Sequence, residues 1–316
     1  MFGLFSSPAH GISRPRASDT AVTLISRFAR ACFRSRQALG IDDVLAFEFV
    51  SPPSRAAIVA ALEQLYNLGA LDRNGKLTND GRLMAKLPLD PRYAKAVVES
   101  ERTYGCAGPM LSLAAMLSID GATFIVPGSP QDLADEVRGC FTNFTGDTIT
   151  LINVLAAFGS RKAGAANQWC EQHFVNRRAV ESARQVREQL VKSCKRLGLL
   201  GEGYAASELA AARDVQHLEQ RGLPMLDENV STCVRRCLTS ACFANTAQRQ
   251  PSGEYLAVAS RELVTIHPSS ALFARRASCV LFHELVFTTK LYMRGLTQIE
   301  PGWLAEVAPN IYQYSP

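Results

Sequence analysis

The sequence predicts an α+β chain of three successive modules: a winged helix, a helical bundle and a small C-terminal β-barrel. Three observations carry this. Residues 20–87 read as three helices with a short hairpin between the second and third, the order of a winged helix. Residues 88–200 are helical in pattern almost throughout. From residue 232, one helix gives way to short β-type runs divided by turns. Residues 1–19 are left as a disordered or targeting segment and residues 201–231 as a linker or insertion. With 316 residues, 47% hydrophobic and 20% charged, the chain is long enough to bury a sizeable core and to divide into modules.

Each element has its signal. "TAVTLISRFARACF" fits an amphipathic helix that stops near Gly40, and "FVSPP" breaks the segment after it. The N-terminal 36 residues hold six arginines and a single acid, Asp19, a composition that also resembles a mitochondrial transit segment. Ser54 can cap the helix that carries Ile58, Leu62, Leu65 and Leu68 on one face, and Gly69 ends it. "ALDRNGKLTNDG" reads as a small hairpin turning at Asn74-Gly75, and Thr78 can cap the third helix. Asp90-Pro91 starts the bundle, and the apolar run Pro109 to Ile119 is long enough for a buried helix. "TCVRRCLTSACFANTA" is expected as the last helix, before the β-type runs "EYLAVAS", "ELVTIH", "CVLFHELVFTT" and "YMRGLTQIE".

Several chemistries are excluded. No stretch of about eighteen apolar residues occurs, so a soluble protein is expected, with no membrane partner. The nine cysteines lack even spacing, and the cluster Cys233, Cys237 and Cys242 has no nearby histidine to complete a zinc site; packing thiols and no metal are expected. In "IHPSS", His267 and Ser269 are sequence neighbours across a proline, and no G-x-S-x-G elbow is present, so no catalytic residue is assigned. Gly75-Lys76 lacks the upstream glycine and the strand-to-helix context of a phosphate-cradling loop.

Charge points elsewhere. Between Ala156 and Leu200, nine basic residues stand against three acidic ones, a local net charge of +6, which suits a polyanion as well as a solvated helix face. On the helix expected from Phe174 to Leu190, Val175, Ala179, Ala183, Val186 and Leu190 share the apolar face. Arg177, Glu181, Arg184 and Glu188 lie opposite, at spacing that lets them neutralise one another. Arg178, Gln185 and Gln189 form a separate edge without an acidic neighbour, where a phosphate or base could be met.

Seven motifs in order carry a resemblance. "LGIDDVLAFEFVSPP", "ALEQLYNLGALD", "GKLTNDGRLMAKLPLDPRYAKAVV", "YGCAGPMLSLAAMLS", "VREQL", "IHPSSALF" and "LFHELVFTTKLYMR" together resemble the C-terminal half of DEAH-box RNA helicases. The resemblance covers about residues 20–312 and implies winged-helix, ratchet and OB-fold modules over 20–87, 88–200 and 232–316. It also implies single-stranded RNA as partner, while a chain acting as an adaptor would dock proteins such as glycine-rich helicase activators. Reduced packing cysteines point to an intracellular site, nuclear or cytoplasmic, and the arginine-rich N-terminus keeps a mitochondrial one as the alternative. ATP and Mg²⁺ are implied only with RecA-like motor domains, and this chain by itself is expected not to hydrolyse ATP.

Within the ratchet helix the family pattern resembles R-S-L-R-R-A-Q-D-V-R-x-Q-L, and this chain reads "RAVESARQVREQL". Arg178, Arg187 and Gln189 match and are carried over as RNA-binding residues, whereas Glu181 and Ser182 replace two basic positions and would weaken affinity. The resemblance also places "HPSS" and "TTK" near the RNA path. Ser269 and Ser270 would donate to phosphate or sugar oxygens and Lys290 would add charge; alternatively, His267 and the serines tie the barrel loop to the helical module. Two rival readings stand beside an RNA-gripping module: a truncated, non-enzymatic adaptor that docks proteins, and an incomplete gene model with the motor encoded upstream.

Overall fold

The computed structural model describes residues 2–3, 55–119, 121–125, 136–160, 163–201, 204, 215–217, 224–309 and 312–314. The first expected helix, "LGIDDVLAFEFVSPP", the Ser54 cap and nearly all of the arginine-rich N-terminus lie outside them. The chain divides into two compact units, one of residues 4–98 and the other of residues 1–3 with 99–316. From Glu99 onward the helical bundle and the barrel therefore share a unit, and the first bundle helix crosses the boundary.

In the first unit, α1 (Arg55–Asn67) and α2 (Asn79–Lys86) flank the expected hairpin. Leu65 and Leu68 are buried, and Leu71 bridges to Leu77. Thr78 caps α2, its Oγ1 accepting from Gly81 N at 3.0 Å. Position 81 has room for glycine alone: a Cβ there would fall 2.1 Å from the Ala70 carbonyl oxygen, because the start of α2 presses against the strand entering the hairpin.

The bundle follows. α3 (Pro91–Arg102) opens where Asp90 Oδ1 accepts from Arg92 N at 3.0 Å. α4 (Ala107–Met116) is buried along its whole length, as its apolar run requires. It packs on α5 (Asp147–Gly159) and on α7 (Arg177–Arg196), while α6 (Ala166–Gln172) lies beside α7. Phe141, Leu155, Phe158, Trp169, Val175 and Val180 fill the core between them. The α7 cap is Asn176, whose Oδ1 accepts from Ala179 N at 3.2 Å, so this helix starts three residues later than its periodicity implied and runs six residues further.

The segment expected as a linker holds an antiparallel strand pair, Val215–His217 with Pro224–Leu226. Buried Asn153 of α5 holds its end, accepting from Leu226 N at 2.9 Å while its amide donates to Phe141 O. The helix expected to begin at Thr232 begins earlier, as α8 (Glu228–Cys242), because Asp227 caps it through Asn229 N.

The barrel strands are β1 (Thr246–Arg249), β2 (Tyr255–Ala257), β3 (Leu263–Ile266), β4 (Cys279–Leu281), β5 (Glu284–Phe287), β6 (Leu291–Arg294) and β7 (Thr297–Gln298). They form one curled sheet in the order β7-β4-β1-β2-β3-β6-β5, antiparallel except for the parallel pair β3–β6. Three sequence readings need correction. The expected last helix takes in Thr246 and Ala247, which instead open β1; the two longest β-type runs each split into two strands; and α8 is followed by a further helix, α9 (Pro301–Val307), whose Trp303 is buried. The second split falls at Gly295 and the first at Phe282-His283, where Phe282 N leaves the run to donate to Asn245 O at 2.9 Å.

Bundle and barrel meet at the start of α5. Gly146 bridges to Thr297; Asp147 N donates to Leu296 O and Gln298 N to Thr145 O, both at 2.7 Å. Thr148 and Thr297 hydroxyls lie 2.7 Å apart.

Candidate nucleic-acid interface

The turn after β3 is built from its side chains. Ser270 N closes it on His267 O at 3.0 Å. Ser269 N lies 3.2 Å and Ser269 Oγ 2.7 Å from His267 Nδ1. Burial, with Arg294 adding to it against the opposing pull of Asp147, lowers the His267 pKa and favours the neutral ring. Nδ1 then accepts from Ser269, and the remaining ring proton sits on Nε2, 3.5 Å from the Arg294 guanidinium. Two N–H donors thus stand side by side at the barrel rim.

The two serines part company. Ser269 is exposed, with its hydroxyl proton committed to His267. Ser270 is buried, accepts from Leu272 N at 3.1 Å and donates to the Asp147 carboxylate. Asp147 also accepts from Ala271 N at 2.7 Å and Leu296 N at 2.8 Å, so one carboxylate at the head of α5 holds two barrel turns. Burial pushes its pKa up while these three donors hold it down. Ser270→Ala is expected to cost about 1 kcal/mol of stability for the lost hydroxyl bonds, and Ser269→Ala close to none. Thermal melts of both variants check this; equal shifts would show that the serines act alike.

The remaining expected residues are scattered. Arg178, Gln185 and Gln189 are exposed along one stripe of α7. Arg184 is spent on Glu181 at 2.6 Å and Glu188 at 2.5 Å, as the spacing implied. Arg187 is not on that stripe: it is 1% exposed, with Nε donating to Ser112 Oγ at 3.0 Å and a terminal nitrogen 3.3 Å from the Tyr204 hydroxyl. Lys290 is exposed but distant from the turn. The parallel register sets Ile266 against Met293, so His267 is level with Arg294, and Lys290 sits four residues back, roughly 13 Å along the strand.

Arg294 is therefore the basic side chain level with the turn. Its ion pair with Glu284, at 3.9 Å and half exposed on both sides, is weak. Neither Arg294 nor Asp147 has a local sequence signal, because both act across pairings distant in the chain.

Around Gly75-Lys76, Asp72 Oδ1 takes the backbone N–H of both Asn74 and Lys76 at 2.8 Å, so a carboxylate occupies the donors that a nucleotide phosphate would need, and the turn does not fit ATP. Among the described residues no group of three His, Cys, Asp or Glu is arranged to hold a metal. Burial pushes the Cys194 and Cys279 thiols up to about 12, which suits packing. No helix among the described residues is long and apolar enough to cross a membrane.

Three domain families match in chain order: the winged-helix helicase-associated domain over 61–89, the ratchet-like helicase-associated domain over 90–193, and the oligonucleotide/oligosaccharide-binding fold over 234–312. The chain belongs with the C-terminal part of the DEAH-box RNA helicases. It is 35% identical over 296 residues to the Pre-mRNA-splicing factor ATP-dependent RNA helicase DEAH10 of Arabidopsis thaliana, covering 88% of this chain and 37% of that protein. It is 37% identical over 279 residues to the Probable ATP-dependent RNA helicase DHX35 of Homo sapiens, covering 88% of this chain and 36% of that protein. The chain thus spans a little over a third of these DEAH-box relatives.

Proposed function

We propose that the chain grips single-stranded RNA as the C-terminal part of a DEAH-box ATP-dependent RNA helicase. The observation that carries this reading is the donor pair at the barrel rim, His267 Nε2 and Arg294, anchored through Asp147 to the bundle. Adjacent donors with little acceptor between them suit a phosphate oxygen, which carries no base information and so serves any sequence. Arg178 and Gln189 on α7 supply a second contact, and the α5–barrel seam keeps the turn in place. Ser270 belongs to the seam and Arg187 to the core. ATP and Mg²⁺ enter with motor domains such as those implied by the relatives' names, and the pre-mRNA-splicing name of the Arabidopsis relative supports an intracellular, nuclear setting.

Salt tests the reading. With about three phosphates contacted, affinity for an oligouridylate of about 12 nucleotides should fall roughly twentyfold between about 50 and 200 mM salt. Fluorescence anisotropy measures it. Affinity unchanged across that range would favour the adaptor reading, whose own support is the exposed pair Leu263 and Phe287. These lie at the Lys290 end of β6, away from the donor pair, where a protein such as a glycine-rich activator could dock.

A further inference from the structure

Phe144 is 59% exposed although it sits on a braced loop. Asn143 N bonds to Thr150 Oγ1 at 3.0 Å, and Asn143 Oδ1 accepts from Thr145 N at 2.8 Å, which fixes the backbone on both sides of the ring. The ring belongs to the bundle. The Arg275 guanidinium, from the barrel loop after the serine turn, lies 4.1 Å from its centroid. Arg275 is itself exposed, and among the described residues no carboxylate pairs with it. Phe273, 54% exposed, and the exposed Arg276 flank it in sequence.

We propose that Arg275, laid on Phe144, is a stacking platform that takes one unpaired nucleobase of RNA at the seam between bundle and barrel. This rests on the RNA-gripping reading and extends it from the backbone to the bases. A guanidinium carbon 4.1 Å over a ring is within stacking distance, and its outer face remains open to another π system, which every base has. The same cation draws in the adjoining phosphate. A hydrophobic protein segment would instead have to strip water from the guanidinium to reach the ring, which disfavours it as the occupant. The platform adjoins the donor turn, since Ser270 and Ala271 on one side and Asp147 on the other bind each other directly. A strand held by its phosphate at His267 and Arg294 can thus lay a neighbouring base here.

The experiment uses the whole chain, an oligoadenylate of about 12 nucleotides and an abasic ribose-phosphate oligomer of the same length. Arg275→Lys keeps the charge and loses the plane; Phe144→Leu keeps apolar bulk and loses the π face. Each is expected to weaken oligoadenylate binding about fivefold to tenfold and to leave the abasic oligomer essentially unaffected. Both side chains are exposed, and a thermal melt of each variant verifies the fold. Oligoadenylate binding at the wild-type level in both variants overturns the platform, as does equal weakening on the two probes, which would leave a charge contact only. If the wild-type chain binds neither probe, the RNA-gripping reading itself fails.

Discussion

Gly146→Ala is expected to lower the melting temperature by roughly 10 °C, through about 3–4 kcal/mol of lost stability. Gly146 has φ +149° and ψ 170°, a region essentially reserved for glycine. A Cβ there would also fall 2.4 Å from Leu296 O and 2.8 Å from Thr297 Cα, both backbone atoms with no rotamer to escape into. Relief means drawing the start of β7 away from α5, at the expense of the Asp147 N–Leu296 O and Gln298 N–Thr145 O bonds. RNA affinity should fall with it, because the same carboxylate that loses Leu296 also aligns the serine turn. Calorimetry decides: a shift under about 2 °C would mean that the seam relaxes without strain.

Arg187→Ala is expected to cost about 3 kcal/mol, the scale of breaking a buried polar network and leaving a hole. The stem of this residue fills space between α7 and α4, and its fork reaches Ser112 and Tyr204. Ser112 Oγ would keep its bond to Gly108 O at 3.1 Å but lose the bond from Arg187 Nε. Lysine should not restore stability, since a single ammonium cannot reproduce the planar fork. Affinity of the folded variant for RNA, measured well below its melting temperature, should match the wild type. Weakened RNA binding with an unchanged melt would instead put the guanidinium in the RNA path.

Arg187 also shows how legible the site was in the sequence. It falls seven residues from both Val180 and Cys194, in the middle of the buried stripe, so helical periodicity alone would have placed it inside. The family pattern drew it outward instead. Local signals served well where the physics is local: the Thr78 cap, the Asn74-Gly75 turn, the Arg184 ion pairs and the exposed stripe of Arg178, Gln185 and Gln189 all follow from neighbours within a turn or two. They failed where distant segments meet. Lys290 and Arg294 could be ranked only once the parallel β3–β6 register was known, and nothing near Phe144 announces an arginine 131 residues on. The separate roles of Ser269 and Ser270 depend on Asp147, more than 120 residues upstream.

Asp147 also decides how the rim turn bears a load. A pull on anything held at His267 and Arg294 passes through the Ala271 and Leu296 amides into the first turn of a 13-residue helix. Those bonds, with the adjoining pair at Thr145 and Leu296, share the force and have to rupture together. The turn is thus a bracket bolted to a beam: it yields only when the bonds that join barrel to bundle break.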